Sequence, residues 1–103
     1  MRLLLTFYAI AFSLHVLAQT SYTLSGHIQD ANSGEQLIGA TIYGEETRLG
    51  VASNIYGFYS LTLPVGKHTV VVTYIGYTAQ KFEVDLSKNL NMDINLVAGT
   101  ELQ

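Results

Sequence analysis

The chain has 103 residues, with five Lys and Arg against eight Asp and Glu and a formal net charge of -3. This length suits a single domain, and an acidic chain without a basic stripe argues against binding to nucleic acid through its phosphates. The absence of cysteine excludes disulfides, zinc–thiolate sites and a lipidated cysteine. The domain must therefore be stabilised by apolar burial or by packing against more protein.

The first eighteen residues form a segment unlike the rest. Arg2 is its only charge, and a mostly apolar run from Leu3 to Val16 follows. Ala18 places a small residue before a cut, with Gln19 after it. These parts predict a secretory signal peptide over residues 1–18, cleaved between Ala18 and Gln19. The alternative is a retained membrane anchor, which the run disfavours because it is shorter than the roughly 20 apolar residues that a spanning helix needs.

Period-two alternation dominates the first half of the mature chain and predicts strands buried on one face. The residues expected to face the core are Tyr22, Leu24, Gly26 and Ile28, then Ile38, Ala40 and Ile42, then Tyr59, Leu61 and Leu63. Turn residues at 30–34 and 54–57 separate these strands, and residues 44–53 predict a loop or a short edge strand. Pro64 ends the third strand because proline cannot donate to a central ladder.

The second half of the chain predicts three more strands. Val70, Val71 and Val72 are consecutive, which indicates a strand covered on both faces in the middle of a sheet. Residues 78–86 alternate again, and Leu90–Leu96 has the cleanest period of two. No segment after the leader has helical periodicity. Six or seven short strands separated by turns predict two sheets packed face to face.

The sequence contains no recognisable catalytic or metal-binding arrangement. His27 and His68 have no second ligand at metal-binding spacing, so both are expected to be ordinary surface histidines. The run from Asp30 to Glu35 faintly resembles a calcium loop but lacks the necessary oxygen ligands, so an Asx turn is favoured. We therefore predict that the chain is not an enzyme and has no catalytic residue, cofactor or metal.

Aromatic side chains cluster around the predicted turns and strand ends. They are Tyr43, Tyr56, Phe58, Tyr59, Tyr74 and Tyr77. Exposed tyrosines can form a contact surface, whereas the simpler interpretation, which we favour, is that they cover a thin core.

Linked motifs of the mature chain, in this order and spacing, resemble the carboxypeptidase regulatory-like domain. The residues that carry the resemblance are Gly26, Asp30, Gly34, Gly39, Ala40, Asn54, Gly57, Phe58, Tyr59, Pro64, Gly66, Tyr74, Gly76 and Tyr77. The resemblance covers residues 22–96. It implies an all-β fold, a seven-stranded transthyretin-like (prealbumin-like) Greek-key β-sandwich, over residues 19–97.

A signal peptide followed at once by this domain is similar to the start of a TonB-dependent outer-membrane receptor of the Bacteroidetes type. The resemblance implies a non-catalytic accessory domain at the periplasmic face of the outer membrane of a Gram-negative bacterium. Residues 98–103 would begin a linker towards a TonB box, plug and barrel, which this sequence lacks. The implied partners are a periplasmic protein or TonB-system component and the rest of the receptor. The transported substrate stays open among a siderophore, a cobalamin-like chelate and a glycan.

Two other functions stay open. The first is a free-standing secreted β-sandwich for protein binding or adhesion. The second is an accessory module of an exported carboxypeptidase, which is disfavoured because the signal peptide directly precedes the sandwich. The genomic sequence after the codon for Gln103 would distinguish a receptor from a free-standing domain.

Overall fold

The computed structural model describes residues 20–99. The predicted signal peptide, its cleavage site at Ala18 and Gln19, and residues 100–103 of the predicted linker lie outside this range. The described chain forms eight strands: β1 Ser21–Asp30, β2 Thr41–Gly44, β3 Gly50–Ala52, β4 Phe58–Pro64, β5 Gly66–Thr73, β6 Gln80–Leu86, β7 Leu90–Asn91 and β8 Ile94–Leu96. Within residues 20–99 no helix has the length and apolar character needed to span a bilayer.

The strands form two sheets. In the first sheet β4 pairs antiparallel with β1, and both β7 and β8 pair parallel with β1. In the second sheet the order is β3-β2-β5-β6, with every pair antiparallel. The all-β sandwich is therefore confirmed. The strand count differs from the predicted seven, because the last predicted strand, Leu90–Leu96, is divided into β7 and β8.

The core lies between the inner faces of the two sheets. Its largest fully buried side chains are Tyr59, Leu24, Ile28, Ile42, Leu61, Leu63, Leu86, Ile94, Leu96, Val70 and Val72. The predicted inward set of β4 is confirmed, since Tyr59, Leu61 and Leu63 are all buried. Val71, on the outer face of β5, is buried too, so the prediction of a central strand covered on both faces is confirmed.

The break between β7 and β8 is the main departure from the alternating pattern. The Tyr59 hydroxyl donates a 2.5 Å hydrogen bond to the Met92 carbonyl. The His27 amide donates to Oδ1 of Asp93 at 2.9 Å. A Cβ at Gly26 would overlap the Met92 carbonyl oxygen, so only glycine allows this close approach. The Met92 amide still donates to the Ser25 carbonyl at 2.7 Å, whereas the Met92 carbonyl and the His27 amide bond to side chains. The strand is interrupted there.

Two predictions about burial are wrong. Ile38 is 53% exposed rather than inward-facing, because residues 31–40 form a loop and β2 begins only at Thr41; the adjacent Leu37 is buried instead. His68 is not a surface histidine but is buried on the inner face of β5, with 8% of its surface exposed. Its Nε2 donates to the Pro64 carbonyl at 2.6 Å.

Candidate protein-binding surface

Four segments meet at one end of the sandwich, which we call the loop end: residues 31–40, 53–57, 74–79 and 97–99. Strands β1 and β8 end there in register, with Asp30 opposite Leu96. Backbone hydrogen bonds join the segments in pairs. The Gly39 amide donates to the Ser53 carbonyl at 2.9 Å, and the Gly99 amide donates to the Gly76 carbonyl at 2.8 Å. The loop end is therefore one connected surface.

Most residues that carry the family resemblance lie at the loop end or at the strand ends that lead into it. These are Asp30, Gly34, Gly39, Ala40, Asn54, Gly57, Phe58, Tyr74, Gly76 and Tyr77. Gly26 and Tyr59 face each other within the first sheet. Pro64 and Gly66 lie at the opposite end, between β4 and β5. Segments that are distant in sequence thus meet in one place.

Asp30 organises the first loop. Its Oδ1 accepts hydrogen bonds from the Asn32 amide at 2.7 Å and the Ser33 amide at 2.9 Å, which is the predicted Asx turn. Its Oδ2 accepts a 2.7 Å hydrogen bond from the Tyr77 hydroxyl. The Tyr77 bond, followed by the two amide bonds, holds the pKa of Asp30 below its ordinary value. The same bond to Asp30 raises the pKa of Tyr77 to about 12.

Asn54 organises the second loop. Its side-chain oxygen accepts hydrogen bonds from the Tyr56 amide at 2.9 Å and the Phe58 amide at 3.0 Å. Gly57 completes the turn with a φ of +73°, and a Cβ there would lie 2.8 Å from the Ile28 carbonyl oxygen. This rigid turn holds Ile55 and Tyr56 out into solvent, where they are 66% and 61% exposed.

Ser53 holds the loop end together from inside, a role that no pattern in the sequence indicates. It is buried, and its hydroxyl donates to the Leu37 carbonyl at 2.6 Å while accepting from the Ala40 amide at 2.9 Å. Both partners are backbone groups of the 31–40 loop. Because backbone partners leave no pattern in the side chains, nothing in the sequence distinguishes Ser53 from the exposed serines.

Exposed apolar side chains concentrate at the loop end. Of the large apolar side chains at least half exposed within residues 20–99, five lie there: Ile38, Ile55, Tyr56, Ile75 and Val97. The other two, Leu49 and Val65, lie at the opposite end. Ile75, at the tip of the β5–β6 turn, is 91% exposed, so its burial contributes almost nothing to folding. An apolar side chain held in this way suits contact with another surface.

The charges at the loop end have one sign. Asp30 and Glu35 lie there, while the described basic residues lie elsewhere: Arg48, Lys67, Lys81 and Lys88. The loop end is therefore apolar with an acidic border. The predicted aromatic cluster divides accordingly: Tyr59 is buried in the core, and Tyr56 is exposed at the loop end.

A shallow open depression of about 370 Å³ lies away from the loop end, between β5, β6 and the loop after β2. Glu46, Glu83 and Asp85 contribute carboxylates to it. The Thr69 amide donates to Oε1 of Glu46 at 3.1 Å, and this bond lowers the pKa of Glu46. Within residues 20–99 no three His, Asp or Glu side chains gather as metal ligands. The bond from Thr69 to Glu46 gives a partner to a backbone amide of β5 that lies just beyond the end of β2.

The sequence matches the family model of the CarboxypepD_reg-like domain over residues 24–103. The chain belongs to this family. The matched segment takes in nearly all of the described sandwich, including every strand after the first residues of β1. Among curated proteins no match was found.

Solved structures share the fold of this CarboxypepD_reg-like domain. A chain of a type II cohesin–X-dockerin complex from Acetivibrio cellulolyticus is similar with a TM-score of 0.69 and 19% identity over 76% of this chain and 58% of that one. A candidate membrane-associated protein of unknown function from Bacteroides fragilis NCTC 9343 has a TM-score of 0.60 and 20% identity, over 82% and 30%. The Bacillus anthracis TIE protein has a TM-score of 0.58 and 21% identity, over 77% and 17%. The domain therefore spans less than two thirds of each of these chains, and the likeness shows the fold alone.

Proposed function

We propose that this CarboxypepD_reg-like domain is an exported, non-catalytic accessory domain of a TonB-dependent outer-membrane receptor, held at the periplasmic face of the membrane. The family match over residues 24–103 supports the accessory-domain part of the proposal, and the receptor part rests on the predicted order of signal peptide and domain. The predicted signal peptide directly before the domain supports export. In this role the domain binds a periplasmic protein or a TonB-system component, while a plug and barrel encoded beyond this sequence carry the substrate.

The loop end supports a docking role. Ile75, Ile55 and Tyr56 provide exposed apolar surface on turns that hydrogen bonds hold in place. A few well-packed side chains, often tyrosine, supply most of the binding energy in protein interfaces. The acidic border formed by Asp30 and Glu35 favours a partner whose contact surface is apolar with basic residues around it.

The genomic test concerns the reading frame after Gln103. A plug and barrel encoded there support the receptor. A stop codon directly after Gln103 contradicts it and favours the free-standing secreted sandwich for adhesion or protein binding. Assay of the purified chain for hydrolase activity, with and without zinc, should show none if the domain is an accessory rather than an enzyme.

The binding test measures by calorimetry the affinity of the full chain for the periplasmic domain of a TonB-system protein from the same organism. Ile75→Ser and Tyr56→Ser should each weaken binding about tenfold, since each removes an exposed apolar contact. Leu49→Ser is the matched control, because Leu49 is 50% exposed but lies at the opposite end. Equal weakening by all three variants would contradict docking through the loop end.

A further inference from the structure

The two longest edge strands of the sandwich, β4 and β6, differ in their protection. The Glu45 amide donates to the Thr69 carbonyl at 2.8 Å, so the backbone groups of Thr69 point towards the β2 side. Because backbone groups alternate in direction along an antiparallel strand, those of the even-numbered residues of β5 point towards β6. The backbone groups of β6 that point to the open edge therefore belong to Lys81, Glu83 and Asp85. Their charged side chains discourage the addition of another strand.

The open edge of β4 follows from its pairing with β1. The Ile28 amide donates to the Gly57 carbonyl at 2.8 Å, and the Val65 amide donates to the Thr20 carbonyl at 2.9 Å. Odd-numbered residues of this stretch therefore bond to β1. The residues whose backbone groups point outwards are Phe58, Ser60, Thr62 and Pro64.

The outermost two of these residues, Phe58 and Pro64, have no backbone group free to bond to another strand. Both backbone groups of Phe58 bond to Asn54, through its amide at 2.9 Å and its side-chain oxygen at 3.0 Å. Pro64 has no N–H, and its carbonyl accepts from His68. The amide and carbonyl groups of Ser60 and Thr62 have no partner within residues 20–99, and both residues are exposed. A short run with four free backbone groups thus faces solvent.

No charge protects this edge. The sequence from Leu49 to Gly66, which contains β3 and β4, has no charged residue. The domain is acidic as a whole, so contact between two copies through most of its surface would oppose like charges. Contact through β4 avoids that repulsion.

We propose that β4 pairs with β4 of a second copy of this chain, antiparallel about a two-fold axis at Leu61, with Ser60 opposite Thr62 of the second copy. Each such pair exchanges two backbone hydrogen bonds, and the symmetry gives two pairs, so all four free groups of each copy are used. Two first sheets become one continuous sheet across the dimer. This inference goes beyond the proposed receptor function and does not depend on it.

The unpaired backbone groups of Ser60 and Thr62 favour this register over its neighbours. Placing Ser60 opposite Ser60 would set Thr62 against Phe58, whose backbone groups are held by Asn54. Placing Thr62 opposite Thr62 would set Ser60 against Pro64, which has no N–H to give. Only the register centred on Leu61 pairs both free residues of both copies.

The same register also brings exposed apolar side chains together. Phe58 of one copy lies opposite Pro64 of the other, and Gly57 lies opposite Val65. Tyr56 and Val65, which are 61% and 51% exposed in the single chain, then flank the paired strands. A two-fold axis produces each of these contacts twice, which adds apolar burial to the four backbone bonds.

Sedimentation equilibrium of the full chain tests the dimer. Thr62→Pro removes an outward-pointing N–H and leaves the backbone bonds to β1 intact, because proline is tolerated at an open edge. It also removes the 2.9 Å side-chain hydrogen bond between the Thr62 and Thr23 hydroxyls, which lies within one copy. We expect the dimer dissociation constant to rise about thirtyfold, since two of four backbone bonds between copies are lost. Glu83→Pro, at the equivalent outward position of β6, is the matched control and should leave the constant unchanged. A chain that is monomeric at all concentrations, or a dimer weakened equally by both variants, overturns the proposal.

Cross-linking tests the register without relying on the proline variant. The sequence contains no cysteine, so Ser60→Cys and Thr62→Cys each introduce a unique thiol. Mixing the two variants under oxidising conditions should give a disulfide-linked dimer, because directly opposed residues lie within disulfide reach. Each variant alone should give far less. Amide exchange adds a third measurement: protection at Ser60 and Thr62 that rises with chain concentration supports the dimer. Protection that needs an added foreign peptide means that another protein's strand occupies the edge, and the proposal is wrong.

Discussion

The Tyr77 hydroxyl donates a 2.7 Å hydrogen bond to Oδ2 of Asp30, and this bond joins the two sheets across the loop end. Asp30 is the last residue of β1 in the first sheet, and Tyr77 follows β5 in the second. The bond therefore holds the 31–40 loop against the β5–β6 turn that presents Ile75. Because both partners titrate, the bond also predicts how stability depends on pH at both extremes.

Replacement of the Asp30 carboxylate should lower stability at neutral pH and have less effect in acid. The pKa of Asp30 is below the ordinary 3.8 in the folded chain, so the carboxylate stabilises the fold above that value, and this stabilisation is lost as pH falls through the folded pKa. Thermal unfolding of Asp30→Asn should show a lower midpoint than the wild type at pH 7, with the two curves converging in stronger acid. Glu35→Gln, an exposed carboxylate on the same loop, is the control and should change little. A gap between Asp30→Asn and wild type that stays constant down to strong acid would contradict the assignment.

Ionisation of Tyr77 at high pH should reduce the stability of the fold. Its pKa rises from 10.0 to about 12 on folding, so its contribution is complete below the unfolded value and is lost as pH rises through the folded one. Burial also raises the pKa of Tyr59, which adds to the same loss. The free energy of unfolding of Tyr77→Phe, measured with denaturant, should therefore fall less steeply than that of the wild type between about pH 10 and pH 12. Tyr56→Phe should keep the wild-type slope, since Tyr56 is exposed; identical slopes for all three proteins would refute this prediction.

Substitution of Gly26 by alanine should greatly reduce the stability of the fold. Its added Cβ would overlap the Met92 carbonyl and lie 2.9 Å from Oδ1 of Asp93. The nearest atoms belong to backbone, so the junction of β7 and β8 must move, and we expect a cost of about 3 kcal/mol in the free energy of unfolding. Gly34→Ala is the control: it meets no atom within 4 Å and has a φ of +75°, so only backbone strain of about 1 kcal/mol applies. If urea unfolding gave the same loss of free energy of unfolding for both variants, the overlap with Met92 would not be the cause of the loss at Gly26.

The sequence predicted the sheets because side-chain alternation reports burial directly. The three valines at 70–72 indicated a central strand, and β5 lies between β2 and β6 as expected. The Asx turn at Asp30 was also predicted, because its donors are the next residues along the chain. These features depend on neighbours in sequence or on the period of the strand itself.

Features that depend on distant partners could not be predicted in this way. Leu90–Leu96 has a perfect period of two, yet the Tyr59 hydroxyl and the backbone at Gly26 interrupt it at Met92. His68 follows a turn and is polar, yet the Pro64 carbonyl satisfies its Nε2 in the interior. The loop end likewise combines four segments whose exposure is set by the packing of both sheets, so its apolar character became clear only in three dimensions.

Ser53 provides the sharpest test of how the loop end is held. Its buried hydroxyl bridges the Leu37 carbonyl at 2.6 Å and the Ala40 amide at 2.9 Å. Ser53→Ala leaves both groups of the backbone without this partner, so the free energy of unfolding should fall by about 2 kcal/mol. Ser87→Ala, at an exposed turn, should change it by less than about 0.5 kcal/mol. Amide exchange should locate the effect, because Ala40 loses its acceptor while the β1–β4 ladder is untouched. Loss of protection spread evenly over both sheets, rather than concentrated at Ala40 and the 31–40 loop, would mean that Ser53 acts through general packing and not through this bridge.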